Sequence, residues 1–168
     1  PLRRFLVSLQ AGHHPNAFHN STRAADVAQA NYYLLTAGGL IEKITLAKEE
    51  VLAAVFAGII TDYDHPGFNN NFHIRSGAYL ASLYNDRSIL EHHQLRCAFE
   101  LWLHPSTNCF SDFPRIGTQW TLFRDTLIEV GLSTDMGNHG RQYALFRGKM
   151  DGEWKSGKDW AACSKDDI

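Results

Sequence analysis

Apolar residues in this chain recur at the spacing of an α-helix, and this periodicity constrains the fold more than any other feature of the sequence. The clearest case is Leu46–Ile60, where Leu52, Val55, Phe56 and Ile59 form one apolar face. Alternation of apolar and polar residues, which marks a half-buried strand, is scarce, and no strand–helix–strand pattern indicates a Rossmann-type nucleotide site. The sequence therefore predicts an all-α, multi-helix fold.

Capping residues set the boundaries of the predicted helices. Thr45 is a candidate N-cap for Leu46–Ile60, and Ser88 with Glu91 forms the capping-box pattern that opens a helix through Leu103. The other predicted helices are Asp26–Thr36, Ser76–Leu83, Thr118–Val130 and, with Thr134 as its cap, Asp135–Met150. A turn-rich loop is expected between Thr61 and Phe72, which contains Pro66, Gly67 and three asparagines.

The composition suits one helical domain or part of a larger one. The chain has 168 residues, of which 44% are hydrophobic, and its net charge of −2 provides no basic surplus for nucleic acid or an anionic membrane. The longest apolar run, Val51–Ile60, has half of the roughly 20 residues that a membrane span needs. Cys97, Cys109 and Cys163 lack metal-site spacing, and no signal peptide is visible, so we expect reduced thiols and a cytoplasmic location. Because the chain begins at Pro1, we expect a processed chain or a fragment of a longer one.

Two short polar segments contain most of the residues suited to metal or acid–base chemistry. Phe18–Val27 reads F-H-N-S-T-R-A-A-D-V, and Thr61–Phe72 reads T-D-Y-D-H-P-G-F-N-N-N-F. They resemble the two metal-binding signatures of the class I cyclic nucleotide phosphodiesterases, H-N-x-x-H-A-x-D-V and H-D-x-x-H-x-G-x-x-N. Asn70–Ile74, Leu83–Glu91 and Ser133–His139 are similar to later stretches of the same family, so the resemblance covers about residues 2–150.

The resemblance implies the HD-type phosphodiesterase fold, a compact bundle of many helices, of which this chain carries roughly the front half. It implies a partial phosphodiesterase-like helical domain over residues 1–150. Residues 151–168 are rich in Gly, Lys and Asp, and we expect them to form an irregular polar tail. The chain stops before the helix that bears the family's last metal-ligand aspartate and before the glutamine that reads the purine.

The resemblance also implies roles for the site residues, in a family that uses zinc and magnesium. His19 matches the general acid, and Asp62 matches a metal ligand, the one that remains of four at the first metal. Arg23 and Thr61 stand where the family has two ligand histidines. The residues that match groups holding metal-bound waters are His65 and Glu91.

Arg23 is expected to disable the metal site and not only to weaken it. A guanidinium is a permanent cation that repels a dication, and the neutral hydroxyl of Thr61 is a weak zinc ligand. We therefore expect no bound metal, and an Arg23–Asp62 ion pair in the metal position. Simpler alternatives stay open, in which His19 only bonds backbone and Glu91 is only the capping partner of Ser88.

Three functions are compatible with this sequence. The favoured one is a degenerate, catalytically inactive phosphodiesterase-like domain that acts as a structural or interaction module in a larger assembly. The alternative is an active, metal-dependent 3',5'-cyclic nucleotide phosphodiesterase whose remaining site residues lie outside this chain. The third is a nucleotide sensor without catalysis, although cyclic nucleotide binding is not expected without the purine-reading segment.

The expected partner is another protein, or the remainder of a longer chain, that covers an apolar face. The predicted helices Leu46–Ile60 and Ser88–Leu103 carry apolar residues on more than one side, and the missing helices would normally cover some of them. These residues are Val51, Val55 and Phe56 on the first helix, and Ile89, Phe99 and Trp102 on the second.

Overall fold

The computed structural model describes residues 1–110 and 117–156, with side chains described to residue 151. Every regular element in this part of the chain is helical, which confirms the predicted all-α fold. The helices are α1 (Leu2–Ala11), α2 (Ser21–Leu35), α3 (Leu40–Ile44), α4 (Lys48–Ile60), α5 (Asn70–Arg75), α6 (Tyr79–Leu83), α7 (Ile89–Leu103), α8 (Thr118–Ser133) and α9 (His139–Ser156), with a 3₁₀ turn at Met136–Asn138. No helix among the described residues is long and apolar enough to cross a membrane.

Helix α4 lies at the centre of the bundle and packs against both α2 and α8. Five of its 13 residues are buried, and the largest of them, Phe56, contacts rings from three other helices. The ring centroids of Phe5, Trp102 and Phe123 lie 6.0, 5.6 and 6.1 Å from that of Phe56. Burying each aromatic side chain stabilises the fold by about 1.5–3 kcal/mol, so this cluster is the main source of cohesion in the described core.

The contact between α2 and α4 is close enough to require a glycine. A Cβ placed on Gly58 would lie only 2.8 Å from the Cα of Ala28, so the two helices approach backbone to backbone. Asn31 Nδ2 also donates a hydrogen bond to the carbonyl oxygen of Ala54, at 3.0 Å. These contacts fix the position of α2, and they bring Arg23 near its start beside Asp62 just after α4.

The residues of α4 and α7 that were expected to need a cover are at least partly buried within this chain. Phe56, Ile89 and Trp102 are buried, and Phe56 and Trp102 belong to one core cluster with Phe5 of α1 and Phe123 of α8. Val51, Val55 and Phe99 are half-buried. Leu103 at the end of α7 is exposed, and the exposed large apolar side chains on α2 and α9 are Tyr32, Tyr33, Leu34, Tyr143, Leu145 and Phe146.

Several predicted helix starts are displaced because a different residue supplies the cap. Helix α2 begins at Ser21, five residues before the predicted Asp26, since Asn20 Oδ1 accepts the N–H groups of Thr22 and Arg23. Helix α4 begins at Lys48 and is not capped by Thr45, which lies after the end of α3 with left-handed φ. Apart from these shifted starts, α2 and α4 lie where the periodicity predicts them.

Two other predicted segments differ from the structure. The predicted helix Ser76–Leu83 is only realised from Tyr79, and the segment before it forms α5, because Gly77 with φ 63 separates the two short helices. Helix α9 begins at His139, after the 3₁₀ turn capped by the Asp135 carboxylate, and it continues to Ser156.

The segment expected to be irregular from residue 151 therefore begins as helix. Adding one residue to an existing helix needs no new nucleation, and a glycine costs only about 1 kcal/mol relative to alanine. Residues 157–168, the rest of the expected tail, lie outside the described residues.

Candidate functional site

A polar cleft of about 410 Å³ opens where the N-terminus of α2, the segment after α4 and the N-terminus of α7 meet the 3₁₀ turn. It brings together all six residues that the sequence singled out, although they are spread over more than 70 positions. The six are His19, Arg23, Thr61, Asp62, His65 and Glu91. Asn70 and Asp135, which were not proposed as site residues, also line it.

Asp62 is the central charge of the cleft. Its side chain is only 5% exposed, and its backbone adopts left-handed φ of 62°, which turns the chain sharply after α4. One carboxylate oxygen, Oδ2, accepts a hydrogen bond from Arg23 Nη1 at 2.5 Å, and the other, Oδ1, accepts from His19 Nδ1 at 3.0 Å. The predicted Arg23–Asp62 ion pair is thus present, and both oxygens of this buried carboxylate have partners.

Arg23 is held in place from two sides. Its guanidinium lies 5.0 Å from the centre of the Phe18 ring, and its other neighbour is the Asp62 carboxylate. The side chain remains 32% exposed, so the guanidinium faces the open cleft with part of its surface. The helix start at Asn20 determines this placement, because it puts Arg23 in the first turn of α2.

His19 and His65 stack in parallel, with ring centroids 3.9 Å apart and planes inclined by 10°. His65 Nδ1 accepts a hydrogen bond from the backbone N–H of Gly67 at 2.9 Å, so the neutral ring carries its proton on Nε2. Burial, followed by the adjacent His19, lowers the pKa of His65 to about 4. His65 is therefore neutral at physiological pH.

The hydroxyl of Thr61 is engaged within its own helix. Its Oγ1 donates to the carbonyl oxygen of Ala57, four residues earlier, at 2.9 Å. This is the usual arrangement for a threonine at a helix end, and it uses the hydroxyl proton away from Asp62. At this position the described structure provides no imidazole, only a hydroxyl already bonded to backbone.

Glu91 belongs to the cleft and is not the capping partner of Ser88. Ser88 has left-handed φ of 40°, and its hydroxyl donates to Asp135 Oδ2 at 2.7 Å. The cap of α7 comes from the first residue of α5, where Asn70 Oδ1 accepts the N–H of Leu90 at 3.0 Å. Asn70 Nδ2 donates to Glu91 Oε2, also at 3.0 Å, and burial, its largest influence, raises the pKa of the Glu91 carboxyl.

Asn16 is a structural residue of the site that the sequence reading missed. Its Nδ2 donates to the backbone carbonyls of His19, at 3.0 Å, and of His65, at 2.8 Å, so it joins the two motif segments. The side chain also lies close to Gly67, where an added Cβ would be 3.1 Å from Asn16 Oδ1. A single asparagine in a loop carries no sequence signal that would distinguish this role.

The comparisons with known proteins agree with this fold. The family model described as 3',5'-cyclic nucleotide phosphodiesterase matches residues 18–167, most of the chain. The chain therefore belongs to the 3',5'-cyclic nucleotide phosphodiesterase family.

Individual relatives show how much of such a protein the chain spans. It is 36% identical to the probable 3',5'-cyclic phosphodiesterase pde-1 of Caenorhabditis elegans, over 89% of this chain and 22% of the relative. It is 42% identical to the probable 3',5'-cyclic-AMP phosphodiesterase pde-4 of the same organism, over 80% of this chain and 19% of that protein. The phosphodiesterase domain of Salpingoeca rosetta rhodopsin phosphodiesterase superposes with a TM-score of 0.82 and 31% identity, over 96% of this chain and 47% of that structure. The chain thus spans about a fifth of these curated relatives and just under half of the solved domain.

Proposed function

We propose that this chain is a degenerate cyclic nucleotide phosphodiesterase-like domain that does not hydrolyse cyclic nucleotides and acts as a structural or interaction module. The observation that carries this proposal is the Arg23–Asp62 ion pair at 2.5 Å. A two-metal hydrolase needs its aspartate to ligate a cation and so to activate water. In this chain a guanidinium, which cannot activate water, already neutralises that aspartate.

The residues of the cleft do not fit the zinc that the resemblance implies. His19, Asp62 and His65 do offer three ligand atoms within 4.8 Å of one another. However, both oxygens of Asp62 are hydrogen-bonded, one of them to a permanent cation that would repel a dication. His65 Nδ1 is used by the N–H of Gly67, and the hydroxyl of Thr61 by the Ala57 carbonyl. This bonding outweighs the proximity of the three ligand atoms, so the proposed function includes no metal-dependent step.

Acid catalysis alone does not restore hydrolysis. His19 donates its Nδ1 proton to Asp62, so it could protonate a departing oxygen only as an imidazolium that also carries a proton on Nε2. Cleavage of a cyclic phosphate also needs a nucleophile and cations on the phosphate oxygens. Arg23, the cation bonded to Asp62, supplies positive charge but does not activate water.

The interaction part of the proposal rests on exposed apolar side chains. Helix α9 has no buried residue among its described side chains, and Tyr143, Leu145 and Phe146 are each more than half exposed. Solved domains of the family extend well beyond the length that this chain covers. We propose that a protein partner, or the remainder of a longer chain, covers this surface. We also propose that the module is cytoplasmic and does not bind nucleic acid.

The second candidate is an active phosphodiesterase completed by residues outside this sequence. The convergence of His19, Asp62, His65 and Glu91 on one cleft favours it. The two candidates differ in what Arg23 does: in the first it replaces the metal, and in the second it must move away from Asp62.

The deciding experiment measures cAMP and cGMP turnover, in the presence of Zn²⁺ and Mg²⁺, by a parent chain in which these 168 residues are joined to the part of a solved family domain that they do not cover, because the second candidate needs residues outside this sequence. We expect no turnover above that of the His19→Ala variant, which controls for contaminating phosphodiesterases. The restored variant Arg23→His/Thr61→His should bind zinc that the parent does not bind in this cleft. Multiple turnovers by the parent chain that disappear in His19→Ala would establish the second candidate and exclude the first.

A further inference from the structure

A second group of side chains that could bind a metal lies outside the cleft. It includes Asp64, the second aspartate of the segment Thr61–Phe72. Asp64, His93 and Cys97 offer one carboxylate oxygen, one ring nitrogen and one sulfur within 4.8 Å of one another. His93 Nε2 is 2.8 Å from Asp64 Oδ2, and Cys97 Sγ is 3.6 Å from that nitrogen and 3.8 Å from that oxygen. Neither the resemblance nor the comparisons assign any role to this group.

These distances are close to the edges of a zinc tetrahedron. Zinc binds nitrogen and oxygen at about 2.0–2.2 Å and thiolate at about 2.3 Å, so tetrahedral ligands lie about 3.3–3.6 Å apart. The distance from Cys97 Sγ to His93 Nε2 falls in this range, and the distance to Asp64 Oδ2 is slightly longer. The His93–Asp64 distance must open by about half an ångström. Cys97 Sγ also lies 3.8 Å from His93 Nδ1, so the His93 ring must turn for Nε2 to share an ion with the sulfur.

The local elements hold the three groups in this arrangement. His93 and Cys97 are four residues apart on α7, which places them on the same side of one helix turn. Asp64 has left-handed φ of 55°, in the turn that follows α4, and this turn directs its carboxylate towards α7. The ligands therefore come from two elements that the core contact between α4 and α7 fixes relative to each other.

Two neighbouring side chains could orient the ligands. His14 Nε2 lies 2.8 Å from Asp64 Oδ1, the carboxylate oxygen that is not near the cysteine. Tyr84 Oη lies 3.5 Å from His93 Nδ1, the ring nitrogen that is not bonded to Asp64. Outer partners of this kind fix the tautomer of a ligating histidine and the rotation of a ligating carboxylate.

Charge and access also favour a cation here, in contrast to the cleft around Asp62. Asp64 and Cys97 line an open groove of about 480 Å³, so an ion can reach them from solvent. The nearest guanidinium, Arg96, lies 3.7 Å from the sulfur, but its Nη1 pairs with Glu100 at 2.6 Å and its side chain is 48% exposed. Unlike Arg23, this arginine is free to turn towards solvent.

We propose that Asp64 Oδ2, His93 Nε2 and Cys97 Sγ form a zinc-binding site, with water as the fourth ligand. On binding, the thiol proton of Cys97 leaves to solvent and the sulfur ligates as thiolate. The ring proton of His93 moves to Nδ1, where it is donated to Tyr84 Oη, so that Nε2 can ligate. The combination of thiolate, imidazole and carboxylate is suited to zinc and not to magnesium or calcium. This site is independent of the proposed loss of hydrolysis.

The test uses Co²⁺ as a spectroscopic substitute for zinc in the 168-residue chain. In a Cys109→Ser/Cys163→Ser background, Cys97 is the single thiol. We expect Co²⁺ to produce the visible absorption of a tetrahedral site together with thiolate-to-metal charge-transfer absorption, and stoichiometric zinc to remove both. Adding Cys97→Ser should abolish the charge-transfer band, whereas adding Asp62→Asn, in the cleft, should leave it unchanged.

The outer residues give a graded test that does not remove a ligand. Tyr84→Phe and His14→Ala should each weaken zinc affinity about tenfold while far-ultraviolet circular dichroism stays the same. The proposal is overturned if Co²⁺ binds without a thiolate band, if the band survives Cys97→Ser, or if zinc does not bind the folded parent chain at micromolar concentration.

Discussion

At the scale of single residues, the charge of Asp62 is balanced by Arg23 and His19, and the loss of either would leave a buried carboxylate with one partner. We expect Arg23→Met, which keeps the aliphatic volume, to lower the free energy of unfolding by about 2 kcal/mol. The figure is below that for a fully buried pair because the Arg23 side chain is 32% exposed. Urea unfolding at pH 7 measures it.

A matched control is the exposed pair of Arg96 and Glu100 on α7. Arg96→Met should change the free energy of unfolding by less than about 0.5 kcal/mol, since both side chains are largely in solvent. Adding Asp62→Asn to Arg23→Met should recover part of the lost stability, because no charge is then left unpaired. Equal effects of the two arginine substitutions would contradict the assigned role of Arg23.

His73 is a polar residue whose burial costs stability. It is 5% exposed, and neither ring nitrogen has a hydrogen-bond partner within the described structure. Replacing it with leucine removes two unsatisfied polar atoms at similar volume, so we expect His73→Leu to raise the free energy of unfolding by about 1 kcal/mol. His104→Leu, at an exposed histidine bonded to Ser106, is the control and should be close to neutral. A destabilised His73→Leu chain would indicate a partner that this account omits.

The depressed pKa of His65 makes stability depend on pH in a defined direction. The folded-state pKa is about 4, against 6.5 for an unperturbed histidine, so in this window the unfolded chain binds the proton more readily. The contribution of neutral His65 to the free energy of unfolding is complete above pH 6.5 and is lost as the pH falls towards 4. Relative to His65→Gln, we expect the parent chain to lose roughly 2 kcal/mol of additional stability between pH 7 and pH 4.5. Parallel pH profiles of the two proteins would refute this.

At the scale of elements, the approach of α2 to α4 positions Arg23 against Asp62. Gly58→Ala places a methyl group against the backbone of Ala28, at 2.8 Å, and must push the helices apart. We expect a loss of about 2 kcal/mol in unfolding free energy, despite the better helix propensity of alanine. Gly148→Ala on α9, where nothing lies within 4 Å, should instead be neutral or gain up to about 1 kcal/mol.

At the scale of the whole molecule, the exposed apolar residues of α9 suggest association. We expect the 168-residue chain to self-associate at high micromolar concentration and to bind a fluorescent apolar dye. The variant Tyr143→Ser/Phe146→Ser should shift light-scattering mass towards the monomer without lowering the free energy of unfolding, because both residues are exposed. Leu103→Ser, at an exposed apolar residue on another helix, is the control.

A monodisperse parent chain that binds no dye would remove the physical support for the proposed partner. A shift to monomer with Leu103→Ser but not with the α9 variant would place the associating surface elsewhere. Either result would leave the ion pair in the cleft, and therefore the proposal on hydrolysis, unaffected.

The sequence by itself determined the helical class, a helix over most of Leu46–Ile60 and the pairing of Arg23 with Asp62. These features depend on local periodicity, or on motifs whose order along the chain was enough to relate them. The sequence also suggested a Ser88–Glu91 capping box, which is wrong, because a local pattern cannot show that a side chain from another helix, Asn70 of α5, will occupy the same helix end.

Tertiary structure alone decided which distant residues meet. Asn70 caps α7 from 20 residues away, and Asn16 joins the carbonyls of His19 and His65. Asp64 lies beside His93 and Cys97. The four-residue interval between His93 and Cys97 fits one helix turn, but nothing in the sequence relates Asp64 to either of them. Such contacts depend on how α2, α4 and α7 are oriented, and that orientation results from packing at Gly58 and Phe56 and not from any local preference of the residues themselves.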